Sequence, residues 1–229
     1  MSAIATNLQA VRERIAKAAL AAGREPGEIM LLAVSKTKPL ADILCAAEAG
    51  QAEFGENYAQ EGVDKMVTSV DHNLSWHFIG PLQSNKTRLV AEHYTWVHSI
   101  ERLKIAERLS AQRPAHLPPL QVCVQVNVSG EASKSGCAPE DALALCQAIS
   151  TLPGLKLRGL MAIPEASDDP IEQRKPFRQL REIADSIRAA GVPLDTLSMG
   201  MSHDLEAAIA EGATIVRIGT AIFGERNYS

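Results

Sequence analysis

Ile29-Met30-Leu31-Leu32-Ala33-Val34-Ser35-Lys36-Thr37-Lys38-Pro39 runs from six apolar residues into an abrupt polar break. An apolar run of that length, closed by a turn signal, reads as a strand buried on both faces, and Pro39 suits the opening of a helix. A lysine therefore stands where a strand hands over to a helix. An amine held at the mouth of a barrel can be desolvated and act as a nucleophile toward an aldehyde. The bland alternative is a solvated lysine at a strand end, and composition alone favours it.

Working outward, the same alternation recurs. Helix Pro39 to Ala49, stopped by Gly50, leads to a short second strand at Glu53 to Gly55. After a helix from Tyr58, Ser75 to Ile79 forms a third strand and Thr95 to His98 a fourth, with helices from Ser84 and from Glu101. Leu120 to Asn127, with its alternating valines, is the clearest β pattern. Leu155 to Met161, Leu194 to Ser198 and Thr214 to Ile218 complete the set, each before a potential helix start. Eight such units imply a (β/α)8 TIM barrel of the α/β class. Ahead of them, Ile4, Leu8, Val11, Ile15, Ala18 and Ala19 lie at helical spacing within Ala3 to Ala22, an extra amphipathic helix laid on the barrel. An open doubly wound sheet would also alternate strand and helix, but no G-x-G-x-x-G follows the first strand.

With 229 residues and 46% hydrophobic content, one core and one domain over 1–229 are expected. Neither Arg113 to Pro119 nor Pro164 to Pro170 is long enough for a linker. A net charge of -4 and scattered basic residues exclude a nucleic-acid surface. No apolar stretch is long enough to cross a bilayer. Four cysteines without a C-x-x-C pair, and an N-terminus bearing Arg12, Glu13, Arg14 and Lys17, point to a cytoplasmic protein without a signal sequence.

Barrel chemistry gathers at the carboxyl ends of strands. Gly200-Met201-Ser202-His203-Asp204 after strand seven, and Ile218-Gly219-Thr220 after strand eight, combine glycines, hydroxyls and helix starts that suit a phosphate. Ser202 could equally cap the helix through Leu205, and the glycines could only make turns. Together the two motifs favour phosphate. Arg217 either faces the barrel interior, where it needs an acceptor, or points outward to a helix carboxylate, the commoner fate. Lys134, in a glycine-flanked loop, reads as solvated. No zinc spacing, H-E-x-x-H, P-loop or G-x-S-x-G is present. His77, between Trp76 and Phe78, reads as a satisfied core or rim histidine.

Five segments carry a resemblance: Ala33 to Pro39, Phe54 to Tyr58, Trp76 to Lys86, Leu197 to Asp204 and Val216 to Gly224. In this order, and over nearly the whole chain, they closely resemble the YggS/PROSC family of pyridoxal 5'-phosphate (PLP) homeostasis proteins, whose fold is that of the alanine racemase N-terminal barrel. Pro81 occupies a variable position of that pattern. The resemblance implies a PLP Schiff base on Lys36 rather than Lys38, a choice that spacing leaves open. It also implies Asn57 beside the cofactor, Met161 and Ser198 around the ring, and Ser202, Gly219 and Thr220 at the phosphate. Arg217 would approach the pyridine nitrogen, and Lys134 would stand at a second-lysine position linked to cofactor handling.

A cationic arginine disfavours a protonated pyridine and weakens the electron sink. Alanine racemase also builds its two-base site with a C-terminal domain, whereas this chain stops just after its eighth unit. The expectation is a non-catalytic, monomeric PLP carrier or regulator in vitamin B6 homeostasis, with PLP-dependent apoenzymes as candidate recipients. A low-activity PLP enzyme acting on amino acids and a barrel for another phosphorylated metabolite are the alternatives.

Overall fold

Met30–Val34 (β1) pairs in parallel with Glu53–Glu56 (β2) on one side and with Ile215–Ile218 (β8) on the other, and this double pairing closes the sheet. The computed structural model describes residues 2–130 and 135–225. Between those strands run β3 (Ser75–Phe78), β4 (Trp96–Ile100), β5 (Leu120–Gln125), β6 (Leu155–Met161) and β7 (Thr196–Ser198), neighbours in chain order around one closed barrel. The helices between them are α2 (Leu40–Glu48), α3 (Ala59–Thr68), α4 (Thr87–His93), α5 (Leu103–Gln112), α6 (Ala142–Ser150), α7 (Pro170–Ala189) and α8 (Leu205–Ala210). A short α9 (Thr220–Phe223) follows β8, and α1 (Ala3–Ala21) precedes everything. The α/β barrel with an added N-terminal helix is the architecture the strand count implies.

Side chains alternate in and out along each strand. The outward set (Phe54, Phe78, Val97, Val122, Leu160, Val216) joins Ile43, Ile105, Ile149 and Phe177 of the helices in the main core. A separate interior cluster of Leu32, Ile79, Trp96, Cys123, Met161 and Ile215 fills the barrel itself. Gly159 is required where β6 and β7 approach: a Cβ there would lie 1.7 Å from the Thr196 carbonyl oxygen.

Element boundaries moved for identifiable reasons. The β4 strand runs through Ser99 to Ile100, so Ser99 lies inside it and donates from Oγ to the Gly80 carbonyl at 2.6 Å. The β5 strand stops at Gln125 because the chain then folds back on itself, with Asn127 N donating to the Cys137 carbonyl. At Ser84 a 3-10 turn precedes α4. Among the described residues, no helix is long and apolar enough to cross a membrane. Lys134 lies outside the described residues.

Candidate functional site

The inward parity of β1 runs Met30, Leu32, Val34, and its next member is Lys36. The same parity sets Asn57 past Gly55, and Arg217 and Gly219 beyond Ile215. These residues meet at the carboxyl end of the barrel around a cavity of about 230 Å³, lined by Lys36, Asn57, Ser202, Arg217, Gly219 and Thr220 with Val34, Ile79, Ile163, Met201 and His203. A second lobe of about 270 Å³ shares Asn57, Ile79 and Ile163 and extends to Pro81, Gln125, Ser135 and Pro164. Six of the eight residues singled out from sequence thus border one cavity. Met161 and Ser198 lie outside its wall, fully buried in the barrel interior.

A buried polar clamp fixes the turn that presents Lys36. Ser35 Oγ donates to Glu56 Oε1 at 2.6 Å, and Lys65 Nζ donates to Glu56 Oε1 at 2.7 Å, Glu61 Oε1 at 2.6 Å and the Ser35 carbonyl at 2.9 Å. Burial pushes the Glu56 carboxyl above its ordinary range, against the pull of Lys65. Thr37 has φ 63°, costly for a β-branched residue, and its N-H is tied to Glu61 Oε1 at 2.6 Å. The clamp therefore holds a strained turn on the residue after Lys36. Lys38 is engaged elsewhere, donating to the Phe223, Gly224 and Glu225 carbonyls at 3.1, 3.0 and 2.9 Å. Geometry separates the two lysines that spacing could not.

Arg217 faces the interior rather than a helix carboxylate. Its Nη1 donates to the Ser198 carbonyl at 2.6 Å and Ser198 Oγ at 2.8 Å, and its Nη2 to the Ala162 carbonyl at 2.9 Å. Burial lowers its pKa to about 10. On the neighbouring loop Asp204, not Ser202, precedes α8, and Asp204 Oδ1 accepts from Met201 N at 2.6 Å. Ser202 is thus not the helix cap, and its carbonyl accepts from Arg14 of α1 at 2.8 Å. The helices here have six and four residues, so their dipoles are small. Amides of Thr220 and Ala221, at the start of a helical turn, have no acceptor within it.

Val34, Ile79 and Ile163 carry no site assignment from the sequence, and Met201 and His203 enter it only as members of the Gly200 to Asp204 motif. Parity along β1 and β3 marks Val34 and Ile79, whereas Ile163, Met201 and His203 sit on irregular loops without any period.

The family profile described as alanine racemase, N-terminal domain matches residues 2–227. Over 228 residues the chain is 62% identical to the pyridoxal phosphate homeostasis protein of Pseudomonas aeruginosa, covering 100% of this chain and 98% of that one. The chain belongs to the YggS/PROSC family of pyridoxal phosphate homeostasis proteins. The Escherichia coli K12 member is 55% identical over 232 residues, covering 100% of this chain and 99% of its own. Among solved structures, PipY of Synechococcus elongatus with PLP bound superposes with a TM-score of 0.84 at 37% identity, covering 96% of this chain and all of PipY. Alanine racemase of Corynebacterium glutamicum, at 15% identity, TM-score 0.71 and coverage of 99% of this chain and 61% of its own, shares the barrel.

Proposed function

We propose that this protein binds PLP in the mouth of its barrel, carries it as a Schiff base on Lys36, and serves cytoplasmic vitamin B6 homeostasis without catalysing turnover. The observation that carries the reading is the gathering of Lys36, Asn57, Ser202, Arg217, Gly219 and Thr220 around one cavity. The names of the family members and the PLP in PipY support it.

The residues present fit such a group. Asn57 Oδ1 is buried without a hydrogen-bond partner and belongs to a residue of the cavity wall, so a polar ligand would relieve it. Two hydroxyls and turn amides suit a phosphate, and a lysine suits an aldehyde. Gly219 allows the close approach: a Cβ there would meet the Val34 carbonyl oxygen at 3.2 Å. Bound there, PLP supplies an aldehyde for amine condensation and a ring that can take up electrons. Lys36 would offer its amine to that aldehyde, Ser202 and Thr220 would hold the phosphate, and Asn57 would flank the ring. Arg217, fixed by Ser198 and Ala162, would present a cation to the ring nitrogen and disfavour its protonation. Such a partner would weaken the electron sink and favour carriage over racemisation. The whole chain acts as one domain and as a monomer, with PLP-dependent apoenzymes as recipients.

Borohydride reduction of the PLP-loaded protein, followed by peptide mapping, tests the assignment. The phosphopyridoxyl group is expected on Lys36, and a label on another lysine, or on none, defeats it. Sustained amino-acid turnover by purified protein, lost in Lys36→Ala, would instead make it an enzyme.

A further inference from the structure

Arg217 heads an unbroken line of short hydrogen bonds that runs through the barrel interior. Its Nη1 lies 2.8 Å from Ser198 Oγ, which lies 2.7 Å from His98 Nδ1. His98 Nε2 is 2.8 Å from His77 Nδ1, and His77 Nε2 is 2.8 Å from Glu53 Oε2. The five residues come from β8, β7, β4, β3 and β2. Arg217, Ser198, His98 and His77 are buried, while the Glu53 side chain keeps 28% exposure at the start of β2, the opposite end of the barrel.

With both imidazoles neutral, the end groups fix the direction of every proton between them. A guanidinium can only donate, so Ser198 Oγ accepts from Arg217; an ionised carboxylate can only accept, so His77 Nε2 carries a proton. His77 Nδ1 then accepts, which places the His98 proton on Nε2 and leaves His98 Nδ1 to accept from the Ser198 hydroxyl. Both imidazoles are neutral in this arrangement. Burial lowers the His77 pKa against the pull of Glu53, and burial, the cost of a second cation beside His77 and the nearby Arg217 charge hold His98 well below its ordinary value. Glu53 is raised by burial, but hydrogen bonds from His77 and Ser75 outweigh that and leave it below its ordinary range. Trp96 stacks on the His77 ring with centroids 5.3 Å apart and planes 6° from parallel, which locks the ring. The ring nitrogens bond one another at hydrogen-bond distance, leaving no room for a metal between them.

Apolar residues of similar volume often fill a core as stably as paired polar groups do, so stability alone does not account for this satisfied polar line. We propose that Ser198, His98, His77 and Glu53 form a one-way hydrogen-bond relay that positions the Arg217 guanidinium against the cofactor ring. They are positioning residues, acting through Arg217. The cofactor half of this inference rests on the PLP reading above; the proton order does not.

Two measurements separate them. Long-range 1H–15N correlation spectra of the protein without PLP should show His77 and His98 both neutral and both protonated on Nε2. A proton on either Nδ1, or a doubly protonated ring at neutral pH, overturns the relay whether or not PLP binds. PLP titration is then compared in His98→Leu and His98→Gln, the latter retaining one acceptor and one donor. His98→Leu should weaken PLP binding about tenfold and shift the absorption band of the bound chromophore while Lys36 is still labelled, and His98→Gln should recover most of both. Unchanged affinity and spectrum in folded His98→Leu overturn the positioning role, whereas wild-type protein with no PLP band defeats the PLP reading instead. If His98→Leu does not fold, Glu53→Lys at the partly exposed end replaces it. A donor there must reverse both imidazole tautomers, and unaltered tautomers overturn the relay.

Discussion

Replacing Lys65 by methionine should be among the most damaging single changes near the mouth, and its cost should grow with pH. Glu56 is fully buried and the Lys65 side chain is 9% exposed, so their 2.7 Å ion pair has little water to fall back on. Removing one partner of such a pair costs about 3–5 kcal/mol, a large part of the roughly 5–15 kcal/mol that stabilises a domain. Glu56 would escape part of that cost by binding a proton. Its folded pKa already lies above the ordinary value, and without Lys65 it rises further. For a carboxyl raised on folding, stability is fully present below the unfolded pKa and is lost as pH rises toward the folded one, at about 1.4 kcal/mol per unit. The stability gap between wild type and Lys65→Met should therefore be wider at pH 8 than at pH 5.5. Urea denaturation followed by circular dichroism at both pH values measures this. Adding Glu56→Gln to Lys65→Met should abolish the extra slope. A gap that is equal at the two pH values would refute the idea that an uncompensated Glu56 charge is what the lysine neutralises.

Ser202→Ala should raise the PLP dissociation constant about tenfold, since one hydroxyl donor to phosphate is lost while backbone donors remain; equilibrium titration reads this, and unchanged affinity would mean that Ser202 does not touch the phosphate. Gly159→Ala forces a Cβ to 1.7 Å from the Thr196 carbonyl oxygen, so β6 and β7 must separate. The expected cost is about 3 kcal/mol, a fall in Tm of roughly 6–12 °C by calorimetry. Glu211 is raised by burial, but its bonds to Arg178 and Arg174 outweigh this and leave it below the ordinary carboxylate range. Its contribution is complete above the ordinary glutamate pKa and is lost as pH falls through the lowered one, so urea midpoints between pH 5 and 3 should fall less steeply in Glu211→Gln than in wild type.

The barrel was legible because eight strand-like segments alternate with helical stretches. Local pattern could not choose between Lys36 and Lys38. That choice depends on where α9 ends and on Glu61 holding a left-handed Thr37. Nor could it orient Arg217, whose acceptors lie 19 and 55 residues away in the chain. The relay left still less trace. His77 was readable as a satisfied core or rim residue, but the hydrogen bond between Ser198 and His98 spans 100 positions, and no neighbouring residue announces it. β7 is shorter than the segment Leu194 to Ser198 read as a strand, as ladder pairing with β6 starts at Thr196, although Asp195 N already bonds the Arg158 carbonyl.

α1 behaves as a strap across the seam between β8 and β1. Asn7 donates to the Ile222 carbonyl, Arg12 to the Ala49 and Gly50 carbonyls, and Arg24, just beyond the helix, to those of Ile209 and Ala213. This N-terminal segment therefore meets three of these five partners, Ile209, Ala213 and Ile222, only once α8 and α9 have been made. Until then its apolar face is uncovered, and assembly waits on contacts of the highest sequence separation, which are the slowest to form. Emergence of α9 sets the earliest moment at which this barrel can lock.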